Sequence, residues 1–139
     1  MTAANANEQT IRAFYSAIES MDPERARVLM TEDASWAVMA KGFPDITSEQ
    51  GREPAIDAFF VPINALLKQG SIKFTIRSII SSGDFVMAEA SVRGDGVNGG
   101  VYQNQYAYAF ELRDGKIAVI REYADTLQAS RFFGVEVPA

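Results

Sequence analysis

The segment VYQNQYAYAF, residues 101–110, places phenol and amide side chains at alternate positions. Successive side chains of a β-strand point to opposite faces, so one face would carry Tyr102, Asn104, Tyr106, Tyr108 and Phe110. A core strand needs only apolar side chains, and a buried phenol or amide without a hydrogen-bond partner costs about 1–3 kcal/mol. These polar groups therefore satisfy one another, bind ordered water, or hold a carbonyl, hydroxyl or developing oxyanion of a ligand.

The sequence contains neither cysteine nor histidine. Thiolate nucleophiles, disulfides, zinc fingers and imidazole acid–base catalysis are therefore excluded within this chain. Chemistry performed by the chain alone would use carboxylates, tyrosine, lysine or arginine. Because no Asp-x-Asp-x-Asp cluster is present either, we expect no metal site and an activity that needs no cofactor.

The chain has 139 residues, 47% of them hydrophobic, and a formal net charge of -5. This length predicts a single domain over residues 1–139 with a substantial buried core. The acidic balance gives no electrostatic reason to bind nucleic acid or an anionic membrane surface. The N-terminus lacks a basic start followed by an apolar run, and no stretch approaches the roughly 18 apolar residues of a spanning helix. These features predict a cytoplasmic protein.

Two helices are predicted near the N-terminus. Apolar residues with helical spacing indicate a first helix over about residues 8–20, with Asn7 as its cap: Ile11, Phe14, Tyr15 and Ile18. Asp22 followed by Pro23 predicts the start of a second, short helix that ends near Thr31.

The middle of the chain predicts a strand, a loop and a third helix. ASWAVM, residues 34–39, has the length of a short strand, and residues 41–51 form a loop that could act as a flap, with Asp45 closing over a ligand. A helix then begins at Arg52 and extends to Gly70. Pro62 lies inside this helix and is expected to kink or split it.

Beyond Gly70 the hydrophobic period changes from that of a helix to that of a strand. Four antiparallel strands are predicted, at about residues 71–81, 84–93, 101–113 and 116–126. The order of elements predicts an α+β domain in which helices cover one face of a curved sheet. Space that the helices leave on the concave side would hold a ligand. Asp125 either begins a packed tail or caps a C-terminal helix.

The glycine-rich segment GDGVNGG contains a literal G-x-G-x-x-G, at Gly94, Gly96 and Gly99. A dinucleotide site needs a helix directly after this motif, because the helix N-terminus holds the pyrophosphate. A strand is predicted to follow here, so we interpret the glycines as a hairpin.

Together with this order of elements, three segments resemble the SnoaL-like branch of the nuclear transport factor 2-like (NTF2-like) superfamily: DPERARVLMTEDASW, GREPAID and YAFELRDGKIAVIREYAD. The resemblance spans nearly the whole chain. It implies a cone-shaped α+β barrel, with three N-terminal helices packed on a curved, mainly antiparallel sheet, and a homodimer formed through the sheet. The superfamily includes polyketide cyclases, ketosteroid isomerases, limonene-epoxide hydrolases, scytalone dehydratases and non-catalytic binding domains, so the resemblance alone does not define a reaction.

The catalytic residues of these relatives are mostly replaced in this chain. At the positions of the isomerases' tyrosine, aspartate base and neutral aspartate stand Phe14, Val38 and Tyr106. The dehydratases and cyclases rely on histidine, which is missing. The Tyr-x-Asn and Arg-x-Asp pairs of the epoxide hydrolases correspond here to other residues: Trp36 with Val38, and Ala90 with Val92. Of that pattern, the acid before the last-strand tyrosine is retained, as Glu122.

Glu122 is the leading catalytic candidate. Its strand shows an unclear alternation, but the resemblance implies that Ile120, Glu122 and Ala124 face inward. A carboxylate on the floor of an apolar cone would be desolvated, its pKa would rise, and it could transfer a proton near neutral pH. The alternative is an ion pair with Arg77 or with Arg121 of an adjacent chain.

We therefore predict Glu122 and Tyr106 as catalytic residues. The predicted substrate-binding residues are Trp36, Tyr15, Tyr102, Asn104, Tyr108 and Ile120. Trp36 is equally compatible with a plain core position, and the hydroxyl of Tyr15 needs a partner if it is buried. The predicted function is cofactor-independent acid–base chemistry of the lyase, dehydratase, isomerase or cyclase type on a hydrophobic, aromatic or cyclic oxygenated small molecule. Epoxide hydrolase-like activity, a non-catalytic ligand-binding or accessory domain, and a structural dimerisation module are the alternatives.

Overall fold

A computed structural model of the chain describes residues 3–40 and 49–134. Within these ranges the chain forms four helices and six strands. In chain order they are α1 (Ala3–Glu19), α2 (Pro23–Val28), β1 (Met30–Val38), β2 (Glu49–Gln50), α3 (Arg52–Leu66), β3 (Lys73–Ser82), β4 (Phe85–Asp95), β5 (Val101–Arg113), β6 (Lys116–Ala124) and α4 (Thr126–Phe133). In these ranges, no helix combines the length and apolar character needed to cross a bilayer.

The strands form one curved sheet in the order β2-β1-β6-β5-β4-β3. All neighbouring strands are antiparallel except β1 and β6, which are parallel. The predicted α+β class and the predicted four-stranded antiparallel meander, β3 to β6, are confirmed. The parallel contact brings β1 beside the last strand, so residues near the two ends of the chain become neighbours.

Helix α1 begins earlier than predicted, at Ala3, which places Asn7 inside the helix. The predicted capping role of Asn7 is therefore wrong. Its buried amide nitrogen instead donates to the carbonyl oxygen of Gly83 (3.2 Å) and to the carboxylate of Asp84 (3.4 Å), in the turn between β3 and β4. This amide fastens α1 to the sheet. The predicted apolar face of the helix is confirmed, since its members are all buried: Ile11, Phe14, Tyr15 and Ile18.

Helix α2 begins as predicted, with Asp22 accepting a hydrogen bond from the backbone N–H of Arg25 and Pro23 as the first helical residue. It ends at Val28 rather than near Thr31. The reason is that β1 begins at Met30, where the chain pairs with Ile117 of β6. Residues 30 and 31, which local helical spacing assigned to α2, therefore belong to β1 because they pair within the sheet.

Helix α3 is a single helix from Arg52 to Leu66, and Pro62 does not split it. Gly70 lies beyond its end, with a positive φ of 81°. Glu49 and Gln50 of the predicted loop form β2, paired with Ser35 and Trp36. Residues 41–48, including Asp45 and most of the predicted flap, lie outside the described residues.

The glycine-rich segment is a hairpin between β4 and β5, as predicted. The backbone N–H of Gly96 donates to the carbonyl oxygen of Gly100 (2.6 Å), and Gly99 has a positive φ of 95°. A Cβ atom on Gly96 would lie 3.0 Å from that same oxygen, so a larger residue would force the turn apart. A strand rather than a helix follows, which leaves the motif without the geometry of a dinucleotide site.

Helix α4 adds a fourth helix to the three that were predicted. Asp125 is its N-cap and accepts hydrogen bonds from the backbone N–H groups of Leu127 (3.1 Å) and Gln128 (3.3 Å). Of the two interpretations of Asp125, the capping one is correct. Gly134, with a positive φ of 70°, ends the helix.

Buried apolar residues form two groups along the sheet. The main core lies between α1 and the middle strands and includes Ile11, Phe14, Ile18, Val86, Phe110, Ile117 and Ile120. A smaller group, the end cluster, consists of Ile63, Leu67, Ile72, Val92 and Tyr102, with Phe132 and Phe133 of α4 packed against it. The candidate site lies where these two groups meet.

Candidate active site

A cavity of about 270 Å³ opens between α3, α4 and the inward face of the sheet. Helix α3 supplies an apolar wall with Ala55, Ala58, Phe59, Pro62, Ile63 and Leu66. The sheet supplies the groups that could do chemistry: Trp36, Tyr102, Tyr106, Tyr108 and Glu122. Glu122 is the one carboxylic acid among the described residues that line the cavity. Predicted residues of both kinds, the acid and the phenols, therefore share one cavity.

Glu122 lies on β6, opposite Tyr108 of β5 and beside Val38 of β1. Its side chain is 4% exposed, and its Oε1 accepts a hydrogen bond from the indole Nε1 of Trp36 at 2.6 Å. The predicted inward orientation is thus observed. Among the described residues no ion pair between Glu122 and Arg77 is observed, and Arg121 pairs with Glu111 of the same chain (2.5 Å).

Burial raises the pKa of Glu122 to about 7, and the hydrogen bond from Trp36 opposes part of this increase. Desolvation disfavours the charged carboxylate, whereas a donor directed at it favours that form. Near neutral pH both protonation states are therefore populated. A carboxyl group in this condition can accept or donate a proton with similar ease.

Trp36 connects this acid to α3. Its ring stacks on Phe59, with centroids 4.1 Å apart and planes at 26°, and it contacts Phe14 at 5.4 Å. The stacking holds the indole in place while its N–H points at Glu122. Trp36 belongs to the main core and also lines the cavity, and its contact with a substrate stays a prediction.

The hydroxyls of Tyr102 and Tyr106 hydrogen-bond each other, and the amide nitrogen of Asn104 donates to the hydroxyl of Tyr102 (2.7 Å). The polar groups of β5 thus partly satisfy one another. Burial raises the pKa of Tyr102 to about 12 and the pKa of Tyr106 well above its ordinary value. Both phenols stay protonated near neutral pH and can donate hydrogen bonds.

Tyr108 is the residue of the main core that lies next to this phenol pair. Its ring stacks on Tyr106 (5.3 Å) on one side and on Phe110 (5.5 Å) on the other, which continues the column of rings along β5. It faces Glu122 across the strand pair and lines the cavity. Burial and the nearby Glu122 carboxylate raise its pKa, so it is a neutral wall residue.

Three predicted binding residues lie behind the cavity wall rather than on it: Tyr15, Asn104 and Ile120. Ile120 is fully buried in the main core. Asn104 uses its side chain within the protein. Tyr15 packs against Phe74 and Tyr108, and its buried hydroxyl has no hydrogen-bond partner among the described residues. Predicted ligand contact from these three residues therefore finds no support in the cavity lining.

Sequence reasoning missed the helical residues that close the cavity. On α3 these include Phe59, Ile63 and Leu66, whose spacing of four and three residues marks one helical face and could have identified them. On α4 they are Thr126, Ala129 and Phe133. No local pattern identifies the second set, because the position of α4 depends on how the tail docks onto β5.

The curved sheet with helices on its concave side, and an acid deep in the resulting cavity, define a class of cone-shaped α+β proteins. The sequence profile of the SnoaL-like domain matches residues 11–120. The chain therefore belongs to the SnoaL-like family. No curated protein matches it in sequence.

Solved structures of low sequence identity share the fold over nearly the whole chain. A provisionally named isomerase from Bacillus subtilis is 22% identical, with a TM-score of 0.83 and 99% of each chain covered. An LEH-like epoxide hydrolase from M. tuberculosis is 17% identical, with a TM-score of 0.76, covering 95% of this chain and 92% of that one. A provisionally named SnoaL-like polyketide cyclase from Jannaschia sp. CCS1 is 16% identical, with a TM-score of 0.77 and coverages of 100% and 98%. At such identities these structures establish the fold and leave the reaction open.

Proposed function

We propose that this protein is a cofactor-independent enzyme that moves a proton on a hydrophobic, cyclic or aromatic, oxygenated small molecule. The observation that carries the proposal is Glu122, an acid with a pKa of about 7 in a cavity whose other described lining residues are uncharged. Perturbed acids in clefts are typical of catalytic groups. The phenol of Tyr106 in the same cavity supplies a hydrogen-bond donor.

In this mechanism the Glu122 carboxylate removes a proton from the bound molecule, while Trp36 holds one of its oxygens. Negative charge that develops on a substrate carbonyl oxygen is stabilised by a hydrogen bond from Tyr106, a donor that is already in place before the reaction. Return of the proton to another carbon gives an isomerase, and loss of a leaving group gives a lyase or dehydratase. Attack of the resulting carbanion on a second carbonyl gives a cyclase.

The cavity also constrains the substrate. Its volume of about 270 Å³ is near the lower end of the range for small-molecule sites, about 300–1,000 Å³, so one or two fused rings would fit. The described lining offers no lysine or arginine, and a substrate carboxylate or phosphate would meet Glu122 without a counter-charge. We therefore propose an uncharged substrate.

The test begins with thermal shifts across a panel of uncharged aromatic and terpenoid ketones, alcohols and epoxides, followed by product analysis of the compounds that stabilise the protein. For any turnover found, Glu122→Gln should lower kcat by at least about 100-fold, because general acid–base catalysis contributes about 10²–10⁴. Ligand binding should be retained, since glutamine can still accept the Trp36 hydrogen bond.

Glu111→Gln is the matched control. Glu111 lies on the outward face of the same sheet, is paired with Arg121, and loses the same charge when substituted. Its turnover should equal that of the wild type. Retained turnover in Glu122→Gln would reject the proposed role of this acid.

A non-catalytic ligand-binding domain is the second candidate. It is favoured by the replacement of the relatives' catalytic residues, at Phe14, Val38, Ala90 and Val92. Compounds that raise the melting temperature without being converted at any pH from 5 to 9 would support it. Epoxide hydrolysis is a narrower variant of the first candidate, and diol formation from a cyclic epoxide would identify it.

A homodimer through the outward face of the sheet is also part of the proposal. Phe85, Met87 and Tyr123 expose apolar surface on this face. Sedimentation equilibrium should give twice the chain mass, and Met87→Glu should lower the measured mass toward that of the monomer. A wild-type monomer at all concentrations would reject the dimer.

A further inference from the structure

Asn104 lies on the inward face of β5 between Tyr102 and Tyr106, and its side chain is 4% exposed. Its Oδ1 accepts hydrogen bonds from the backbone N–H groups of Gln105 (2.7 Å) and Asp125 (3.1 Å). Its Nδ2 donates to the carbonyl oxygen of Asp125 (3.1 Å) and to the hydroxyl of Tyr102 (2.7 Å). A carboxamide offers two donor hydrogens and two acceptor lone pairs, so all of its capacity is used. Asn104 cannot contact a ligand while these bonds persist.

The orientation of this amide is determined by the backbone. A backbone N–H can only donate and a backbone carbonyl can only accept. Oδ1 must therefore face the N–H groups of Gln105 and Asp125, and Nδ2 must face the carbonyl of Asp125. As a result, the Tyr102 oxygen receives a hydrogen bond from Asn104.

This bond sets the direction of the phenol pair. With its oxygen accepting from Asn104, Tyr102 still has a proton to place, and the hydroxyl of Tyr106 is the acceptor that the described residues offer. The direction Asn104 to Tyr102 to Tyr106 gives each proton an acceptor and leaves the proton of Tyr106 for the cavity. The reverse direction would leave the proton of Tyr102, the more deeply buried of the two phenols, without an acceptor among the described residues, which is unfavourable.

We propose that Asn104 is a positioning residue that acts through Tyr102 to direct the hydroxyl of Tyr106 at an oxygen atom of the bound ligand. The hydrogen bonds of the chain also polarise one another, which strengthens the last donor. A site built this way selects ligands that present a carbonyl oxygen over ligands of the same shape without one. The inference rests on the proposed ligand cavity, but it does not require Glu122 to transfer a proton.

The test compares two compounds of nearly the same shape, acetophenone and α-methylstyrene, in which a methylene group replaces the carbonyl oxygen. Their dissociation constants are measured by NMR titration for the wild type, Asn104→Asp, Tyr106→Phe and the double variant. An aspartate at this position keeps both acceptor bonds, and in its ionised form, at pH 8, it has no proton to donate to Tyr102. Asn104→Asp should raise the dissociation constant of acetophenone about three- to tenfold more than that of α-methylstyrene, which is the range expected for one hydrogen bond.

The Tyr106→Phe variant should show the same selective loss, and adding Asn104→Asp to it should change the ratio of the two constants no further. Gln103→Glu, the same amide-to-acid change on the outward face of β5, should leave the ratio at the wild-type value. Equal weakening of both compounds would overturn the proposal, because it describes a structural clamp. A further selective loss in the double variant would also overturn it, because Asn104 would then act independently of Tyr106.

Tyr102→Phe provides a second route if Asn104→Asp does not fold. It keeps the bonds between Asn104 and Asp125 and removes only the middle hydroxyl. A selective loss of acetophenone binding that is absent when Tyr106→Phe is already present supports the proposal, and an unchanged ratio, or a selective loss that persists in that background, overturns it. A wild type that binds neither compound would overturn both the ligand cavity and this inference. Retained turnover in Glu122→Gln would reject the proposed role of that acid. It would not affect the test of Asn104, which depends only on the ratio of the two dissociation constants.

Discussion

The inward face of β5 is covered by α1 at one end and by α3 and α4 at the other. At the α1 end, Phe14 lies edge-on to Phe110 (6.1 Å) and Tyr15 edge-on to Tyr108 (5.4 Å), and these rings are almost completely buried. At the other end, the rings of Phe132 and Phe133 of α4 contact the ring of Tyr102. Between α4 and α3 the cavity remains.

The two ends differ in the hydrogen bonding of their buried hydroxyl groups. At the α1 end, the hydroxyl of Tyr15 is buried without a hydrogen-bond partner among the described residues. The cavity end pairs the hydroxyls of Tyr102 and Tyr106 and supports them with Asn104. A single alternating strand thus serves as core where a helix packs its rings, and as a polar wall where the helices leave space. The comparison predicts large effects on stability at one end and small effects on stability, with large effects on binding, at the other.

The largest expected effect is in the main core. Phe110→Ala removes a fully buried ring and should lower the free energy of unfolding by about 3–5 kcal/mol. Phe133→Ala, at the half-buried cavity end, should cost about 2 kcal/mol or less. Urea denaturation of both variants measures the difference. Equal losses would contradict the division of β5 into two ends.

The pH dependence of stability should report Glu122. Its pKa rises from 4.5 in the unfolded chain to about 7 in the folded protein, so the folded state binds the proton more tightly. Stability contributed by the protonated acid is present below pH 4.5 and is lost as the pH rises through 7, by up to about 3 kcal/mol. Glu122→Gln should therefore be more stable than the wild type at pH 8 and similar to it at pH 4. Parallel curves for the two proteins from pH 4 to 8 would show that the acid is not perturbed.

The hydrogen bond from Trp36 should lower the pKa of Glu122 relative to the value that burial alone would give. Trp36→Phe keeps an aromatic ring against Phe59 but removes the N–H that donates to Glu122. Without this donor the pKa of Glu122 should rise further, by about one to two pH units, since a hydrogen bond to a charged group contributes about 1.5–3 kcal/mol and one unit corresponds to about 1.4 kcal/mol. Infrared titration of the carboxyl stretch measures the shift. A pKa that stays at or falls below the wild-type value would show that the Trp36 hydrogen bond does not lower it.

The smallest expected effect is local to α4. Asp125→Ala removes the N-cap and should cost about 1 kcal/mol. Hydrogen exchange should accelerate in residues 126–133, while the phenol pair is retained because Asn104 binds the backbone of residue 125. Asp57→Ala, an exposed acid on α3, is the control and should change neither exchange nor stability. Uniform acceleration over the whole chain would contradict a local cap.

Much of the fold follows from local patterns. The bounds of β5, residues 101–113, were predicted correctly, because strict alternation and the flanking turns define them. The predictions failed where a distant contact overrides local spacing. Asn7 suits a helix cap by type, yet it reaches the turn at Gly83, and β1 begins at Met30 because it pairs with β6. The end of α2 could not be found from its own residues.

The site shows the same limit. Glu122 was predicted to face inward as a desolvated acid, but its hydrogen-bond donor Trp36, which lies 86 residues away in sequence, was not predicted. The predicted binding role of Asn104 rested on its shared face with the tyrosines. That face was correct, but the backbone of Asp125 takes up the amide, and only the docking of α4 reveals this.

The sequence by itself determined the absence of cysteine and histidine chemistry, the order of most elements and the alternation that directs the side chains of β5 to one side. These properties depend on residue type and on short-range geometry. Only the tertiary structure decided which way Glu122 faces, because both alternating sets of β6 are apolar and a register shift interrupts its pairing with β5. It also decided which groups approach the acid, since the parallel pairing of β1 with β6 joins segments that no local pattern connects.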